Sequence, residues 1–207
     1  MQPHVQPPII ATTFSAMILM HGPGRLSNHT FDRGVVAVDA DRGLLRKQNT
    51  DFYTDPKVPE TSDFFIDCVA GKAYYVQTDP PGNCTAYTVR ASQCPISYPG
   101  VHIPPNGAQL LRSEMANGLE CDVWQFYYPT FQSNVQVWVS KPAPGDKDAL
   151  LVRFLGARVQ TDYTNISRAA DAIAFRPPQS CSNTSVVDDA PTVPPLLMEV
   201  GRSVSVS

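Results

Sequence analysis

Gly34-Val-Val-Ala-Val-Asp-Ala-Asp-Arg-Gly-Leu-Leu-Arg-Lys-Gln48 is the stretch that decides the fold. Gly34 to Ala40 is a β-branched, apolar run that reads as a strand. Asp41-Arg42-Gly43 makes a turn, since Gly43 takes positive φ without steric cost and Asp supports the turn through its side chain. Leu44 to Gln48 then returns antiparallel, so residues 34–48 read as a hairpin.

The same grammar recurs on both sides. Phe14 to Met20 is a strand, and Asp63 to Val69 with Lys72 to Gln77 form a second hairpin across Ala70-Gly71. Cys84 to Arg90 continues as a short strand, and Gln93 to Gly107 is a proline-rich connection. Residues 108–115 are expected to make one or two helical turns. Leu119 to Tyr128 is a long strand with Trp124, Phe126 and Tyr128 on one face. Asn134 to Lys141 follows, with Val135, Val137 and Val139 facing one way, and Gln136 and Trp138 the other. Ala149 to Val159 is another strand, Ile166 to Ala172 a helical turn, and Ile173 to Arg176 an extended end. Residues 182–207 read as a tail, in which Val200 to Val206 alternates like an edge strand. Sequential hairpins without long crossovers imply a mainly β domain. The expectation is a curled antiparallel sheet, a half-barrel of about nine to eleven strands with one or two short helices. Residues 1–12 form a proline-rich arm, 13–181 the domain and 182–207 the tail.

Bulk composition narrows the function. The chain has 207 residues, 43% hydrophobic content and a net charge of −3, which is ordinary for one globular domain. With no Lys/Arg cluster, a nucleic-acid partner is not expected. No run reaches the 18 or so apolar residues of a transmembrane helix. The 20 prolines are about twice average usage and keep their segments non-helical.

Cys68, Cys84, Cys94, Cys121 and Cys181 contain no C-x-x-C pair, which argues against zinc or thioredoxin-like chemistry. In an oxidising compartment they read as two disulfides and one leftover thiol, with spacing alone not choosing the pairs. Four sequons point to the same compartment: Asn28-His29-Thr30, Asn83-Cys84-Thr85, Asn165-Ile166-Ser167 and Asn183-Thr184-Ser185. Chance supplies roughly one in such a chain. Glycosylation at Asn28, Asn83, Asn165 and Asn183 and a secreted or lumenal location are therefore expected. Met1 to Pro8 has neither a basic nor an apolar leader region, so a signal peptide is not expected within this chain: either it has been removed, or the start is assigned late, or the protein is cytosolic and the sequons are idle.

Enzyme signatures are missing. There is no G-x-S-x-G, H-E-x-x-H, P-loop or G-x-G-x-x-G. A Cys94/His102 dyad is conceivable only on paper, because both sit in a proline-rich loop and a disulfide would consume the thiol. Asp39-x-Asp41-x-Gly43 opens like a calcium loop, yet position 50 is Thr50 where an EF-hand needs its bidentate Glu. It reads as a polar hairpin turn, so neither a metal site nor a cofactor is assigned. Trp124, Phe126, Tyr128, Trp138 and Phe154 are the candidate ligand-binding residues, since aromatic faces offer large apolar area at low entropy cost.

In order along the chain, several motifs resemble those of the ependymin-related proteins, extracellular glycoproteins with a LolA-like lipoprotein-carrier fold. They begin at Phe14-Ser15-Ala16 and continue at Val38-Asp39-Ala40-Asp41-Arg42-Gly43-Leu44-Leu45-Arg46, where Val38 replaces the usual aromatic. Gly71-Lys72-Ala73-Tyr74-Tyr75-Val76 precedes Cys84, and Ile103-Pro104-Pro105-Asn106-Gly107-Ala108 precedes the Trp124 strand. Thr161-Asp162-Tyr163-Thr164 and the closing Phe175-Arg176-Pro177-Pro178-Gln179-Ser180-Cys181 complete the set, which spans 13–181. Cys121 and the odd cysteine total depart from the family pattern. The resemblance implies that Cys181 is bridged to Cys68 or Cys84. It implies a non-enzymatic binder of a hydrophobic or lipid-like small molecule on the concave face of a curved sheet. The alternative is a matrix or adhesion glycoprotein, a homodimer through that face and linked to calcium.

Overall fold

The computed structural model of the chain describes residues 6–21, 29–53, 60–78, 81–89, 103–128, 132–156, 159–182 and 184–187. These residues build one sheet. Its strands are β1 (Thr13–His21), β2 (His29–Asp39), β3 (Leu44–Tyr53), β4 (Glu60–Asp67), β5 (Lys72–Thr78) and β6 (Pro81–Thr88), then β7 (Gln109–Ala116), β8 (Leu119–Tyr128), β9 (Ser133–Ser140), β10 (Leu151–Gly156), β11 (Val159–Ser167) and β12 (Val186–Val187). Their spatial order is β12-β6-β5-β4-β3-β2-β1-β11-β10-β9-β8-β7. Eleven strands pair antiparallel, and only the two-residue β12 runs parallel, beside β6. The ends do not meet, so the sheet is an unclosed, mainly β half-barrel.

Alternation sorts the side chains into two faces. Cross-strand partners Phe14–Val38–Leu45–Ile66–Ala73–Tyr87 form one inner row through six strands. The first five belong to the main core and the half-buried Tyr87 packs against it; the same core also holds Trp124, Val137 and Phe154 from the other half of the sheet. Among the described residues the only helices are two 3₁₀ turns, Ala172–Phe175 and Gln179–Cys181. The sheet therefore buries its inner face chiefly by curling, which is what a long antiparallel sheet does when no helical layer covers it.

The 34–48 hairpin closes at Gly43, whose φ of +65° brings it against Cys68; a Cβ there would lie 2.9 Å from Cys68 Cβ. Ile10 pairs with Ala149 and is buried in the main core, so the end of the proline-rich arm is tied to the domain.

Three local expectations are corrected. Residues 108–115 are not helical; Gln109–Ala116 is edge strand β7. Asn117 (φ 48°) and Gly118 (φ +80°) form a two-residue hairpin turn of the primed kind, and this overrides the helix propensity of Gln-Leu-Leu-Arg-Ser-Glu-Met. The strand expected over 149–159 divides into β10 and the start of β11. The helical turn expected at 166–172 is displaced to Ala172–Phe175, capped by Asp171, whose side chain accepts from the Ile173 amide. There an extended end was expected. Val200 to Val206 lies outside the described residues.

Candidate functional site

The inner face of β8, β9 and β10 carries the aromatic candidates. Register places Trp124 opposite Val137, Phe126 opposite Val135, Tyr128 opposite Ser133, and Phe154 opposite Val137. Trp124, Phe126 and Phe154 are 1%, 3% and 2% exposed, and Tyr128 packs half-buried on the same core. Phe126 and Tyr128 meet edge to face at 6.5 Å. The structure thus brings four of the five candidates together, as tightly packed core.

Trp138 is the exception and a correction. Its neighbour Val137 opposes Trp124, so the two-residue period turns Trp138 outward. It lies in a second, smaller core with Ala116, Cys121, Val123 and Val152. Its indole Nε1 donates to Glu114 Oε1 at 2.5 Å, and the Arg112 and Arg153 guanidiniums lie over its ring at 5.8 and 5.5 Å. The Arg112 hydrogen bond, then the Trp138 one, holds the Glu114 carboxyl below its usual range.

Arg153 extends this network across the outer face. Its Nε donates to Asp162 Oδ1 at 2.6 Å, and Asp162 also accepts from Gln160 and from Asn117. Asn117 Nδ2 further reaches the Val152 and Tyr163 carbonyls at 3.2 and 3.1 Å. The turn of the β7–β8 hairpin is thereby pinned over the outer face. Cys121, a free thiol, is buried beneath it, and loss of hydration pushes its pKa up to about 11. A neutral thiol so enclosed is a poor nucleophile.

The inner face is the reverse. Among the described residues, two buried side-chain polar atoms have no hydrogen-bond partner: Trp124 Nε1 and Ser133 Oγ. Both belong to the inner column of β8 and β9, since Ser133 opposes Tyr128 and shares parity with Val135 and Val137. Leaving a buried donor unpaired costs about 1–3 kcal/mol. Lys47 is a polar group on this face that sequence reasoning missed. It opposes Val36 and Phe64, is buried, and its Nζ reaches Met20 Sδ at 3.6 Å among other contacts. Its signal was the parity of Leu45 and Lys47 within the quoted hairpin.

The cysteines resolve in part. Cys84 is bridged to Cys181 with Cα atoms 5.3 Å apart, one of the two partners the resemblance implied. Cys68 is disulfide-bonded too, while Cys94 lies outside the described residues. The Cys84–Cys181 bridge ties the second 3₁₀ turn to β6, above Phe65 and Val76. Arg46 secures the first: it binds Asp63 through two bonds of 2.9 and 2.6 Å, lies over Phe65, and donates to the Ala174 carbonyl. Residues 168–182 so form a strap on the outer face.

Of the sequons, Asn165 is exposed and has φ 50°, at a point where β11 carries one extra residue against β1. Asn83 is in β6, and Asn28 and Asn183 lie outside the described residues. The Asp39 carboxylate accepts from the Arg42 amide and Asp41 accepts from Thr12, so both serve the turn. Among the described residues no group of three or more His, Cys, Asp or Glu is placed to hold a metal. Among the same residues no helix is long and apolar enough to cross a membrane.

No family model matches the chain, and no curated protein matches it. Solved structures similar to it include two of PNGF-II, at 7% and 8% identity with TM-scores of 0.39 and 0.40. They cover 86% of this chain, which spans about a third of theirs, 31% and 32%. A LolA superfamily protein from Nitrosomonas europaea is 12% identical, with a TM-score of 0.29, covering 81% of this chain and 90% of its own.

Proposed function

We propose that the chain is a secreted, glycosylated, non-enzymatic binder of a hydrophobic or lipid-like small molecule held against the inner face of the sheet. One observation carries the reading: the unpaired polar atoms of Trp124 and Ser133 lie on the same apolar inner column. An amphiphile with an acceptor oxygen would satisfy the indole donor while its hydrocarbon adds apolar burial, worth roughly 25 cal/mol per Å² before entropy costs. Disulfides at Cys68 and at Cys84–Cys181 support an oxidising compartment.

The adhesive rival, a homodimer through the inner face with a calcium link, is less well supported. An indole N–H enclosed within the fold lies out of reach of a partner protein's surface. The Asp39 and Asp41 carboxylates are moreover engaged in their turn.

Native mass spectrometry of protein secreted from a eukaryotic host tests the reading. A co-purifying lipid mass on a monomer is expected. An empty protein that takes up no added long-chain fatty acid or phospholipid overturns it.

A further inference from the structure

A groove of about 260 Å³ opens on the outer face, away from the aromatic column. Four adjacent strands and the strap line it: Asn165 of β11, Ser15 and Met17 of β1, Val35 of β2, Arg46 of β3, and Ala174 above. Its floor is apolar and unusually open for such side chains. Met17 and Val35 are cross-strand partners, 49% and 40% exposed. The volume is below the roughly 300–1,000 Å³ of pockets for drug-sized ligands, so a single ring suits it better than a lipid chain. Arg46 is already neutralised by Asp63, which removes any call for an anionic occupant.

One wall of the groove is itself a sequon. The extra residue in β11 places Asn165 at φ 50°, a left-handed conformation that Asn tolerates. Its Nδ2 lies 3.1 Å from Met17 Sδ. That nitrogen carries two hydrogens, and only one is needed for the sulfur contact. We propose that Asn165 is a glycan attachment site whose first N-acetylglucosamine seats in this groove, covering Met17 and Val35. In the transfer, Nδ2 bonds to the anomeric carbon of a polyprenyl-diphosphate-linked oligosaccharide. The anomeric C–O bond breaks, polyprenyl diphosphate leaves, and Nδ2 loses one proton. The sugar's apolar face and acetyl methyl then meet Met17, Val35 and Ala37, while its hydroxyls stay at the polar rim with Ser15.

This inference rests on the secreted-glycoprotein reading but is separable from it. The test is peroxide oxidation followed by peptide mapping, on full-length protein from a eukaryotic secretory host. Met115, 65% exposed on β7, is the internal control. Oxidation follows exposure, so Met17 is expected to react about five-fold more slowly, relative to Met115, in the glycosylated protein than in Ser167→Ala, which loses the sequon. Trimming the glycan on the folded protein to its first sugar should leave that protection intact, and this arm needs no variant. Equal Met17 rates with and without the sugar overturn the seating. Glycans at other sequons but none at Asn165 overturn the site and leave the secretory reading standing. No glycan at any sequon overturns both.

Discussion

Two tryptophans on neighbouring strands divide the molecule. Trp138 faces outward, where Glu114 takes its N–H and Arg112 and Arg153 lie over its ring. Trp124 faces inward among Val, Phe and Leu side chains, and its N–H has no acceptor among the described residues. The outer face meets its polar demands with its own residues. The inner face leaves a donor over, in the place where low dielectric makes an unpaired donor most costly. That difference sets the two faces apart, and it is the inner one to which the proposed ligand is assigned.

The largest effect should come from emptying the inner face. Phe126→Ala is expected to lower unfolding free energy by about 3–5 kcal/mol in denaturant titration, because the ring is buried and the surroundings relax only partly. Next comes the strap. Replacing Cys84 and Cys181 together by Ser should cost about 2–4 kcal/mol, since the bridge closes a long loop in the unfolded chain. The variant should lose proteolytic protection first around Arg176 and Gln179, while the β8–β9 hairpin stays protected.

Trp138→Phe removes one charge-assisted hydrogen bond and keeps most of the ring, so about 1–2 kcal/mol is expected in the same titration. Smaller again is the effect of acid on the Glu114 pair. Its folded pKa lies below the unfolded value, so the pairing is fully present above the ordinary carboxylate range. It is lost as pH falls through the lowered folded value. The Trp138 indole N–H resonance should move only in that acid window, while that of Trp124 stays in place. Equal movement of both would erase the contrast between the faces.

Most of the sheet was legible because its strands obey local rules. The hairpin at 34–48 and the strands holding Trp124 and Trp138 combine alternation with turn residues, and the structure returns them within a few residues. Edge strand β7 was hidden by helix-favouring residues, although Asn117-Gly118 is a strong hairpin signal. β11 was hidden because Asp162 and Thr161, both buried, break the apolar alternation. Their burial depends on long-range partners such as Arg153, which no local pattern announces. Trp138 was grouped with Trp124 by residue type, while the parity of its own strand already placed it on the other face. The disulfide of Cys181 was narrowed to two partners by resemblance, and only the β6 register selects Cys84.

The most direct test of the inner face is the pair of indole N–H signals in a ¹H–¹⁵N spectrum of delipidated protein, followed during titration with oleate. In the free protein the Trp124 resonance should lie upfield of the Trp138 one, because it lacks an acceptor. Saturation should shift Trp124 downfield and leave Trp138 unchanged. If oleate binds and Trp124 does not move, or if Trp138 moves instead, the inner-face donor is not the ligand's anchor and the proposed site is wrong.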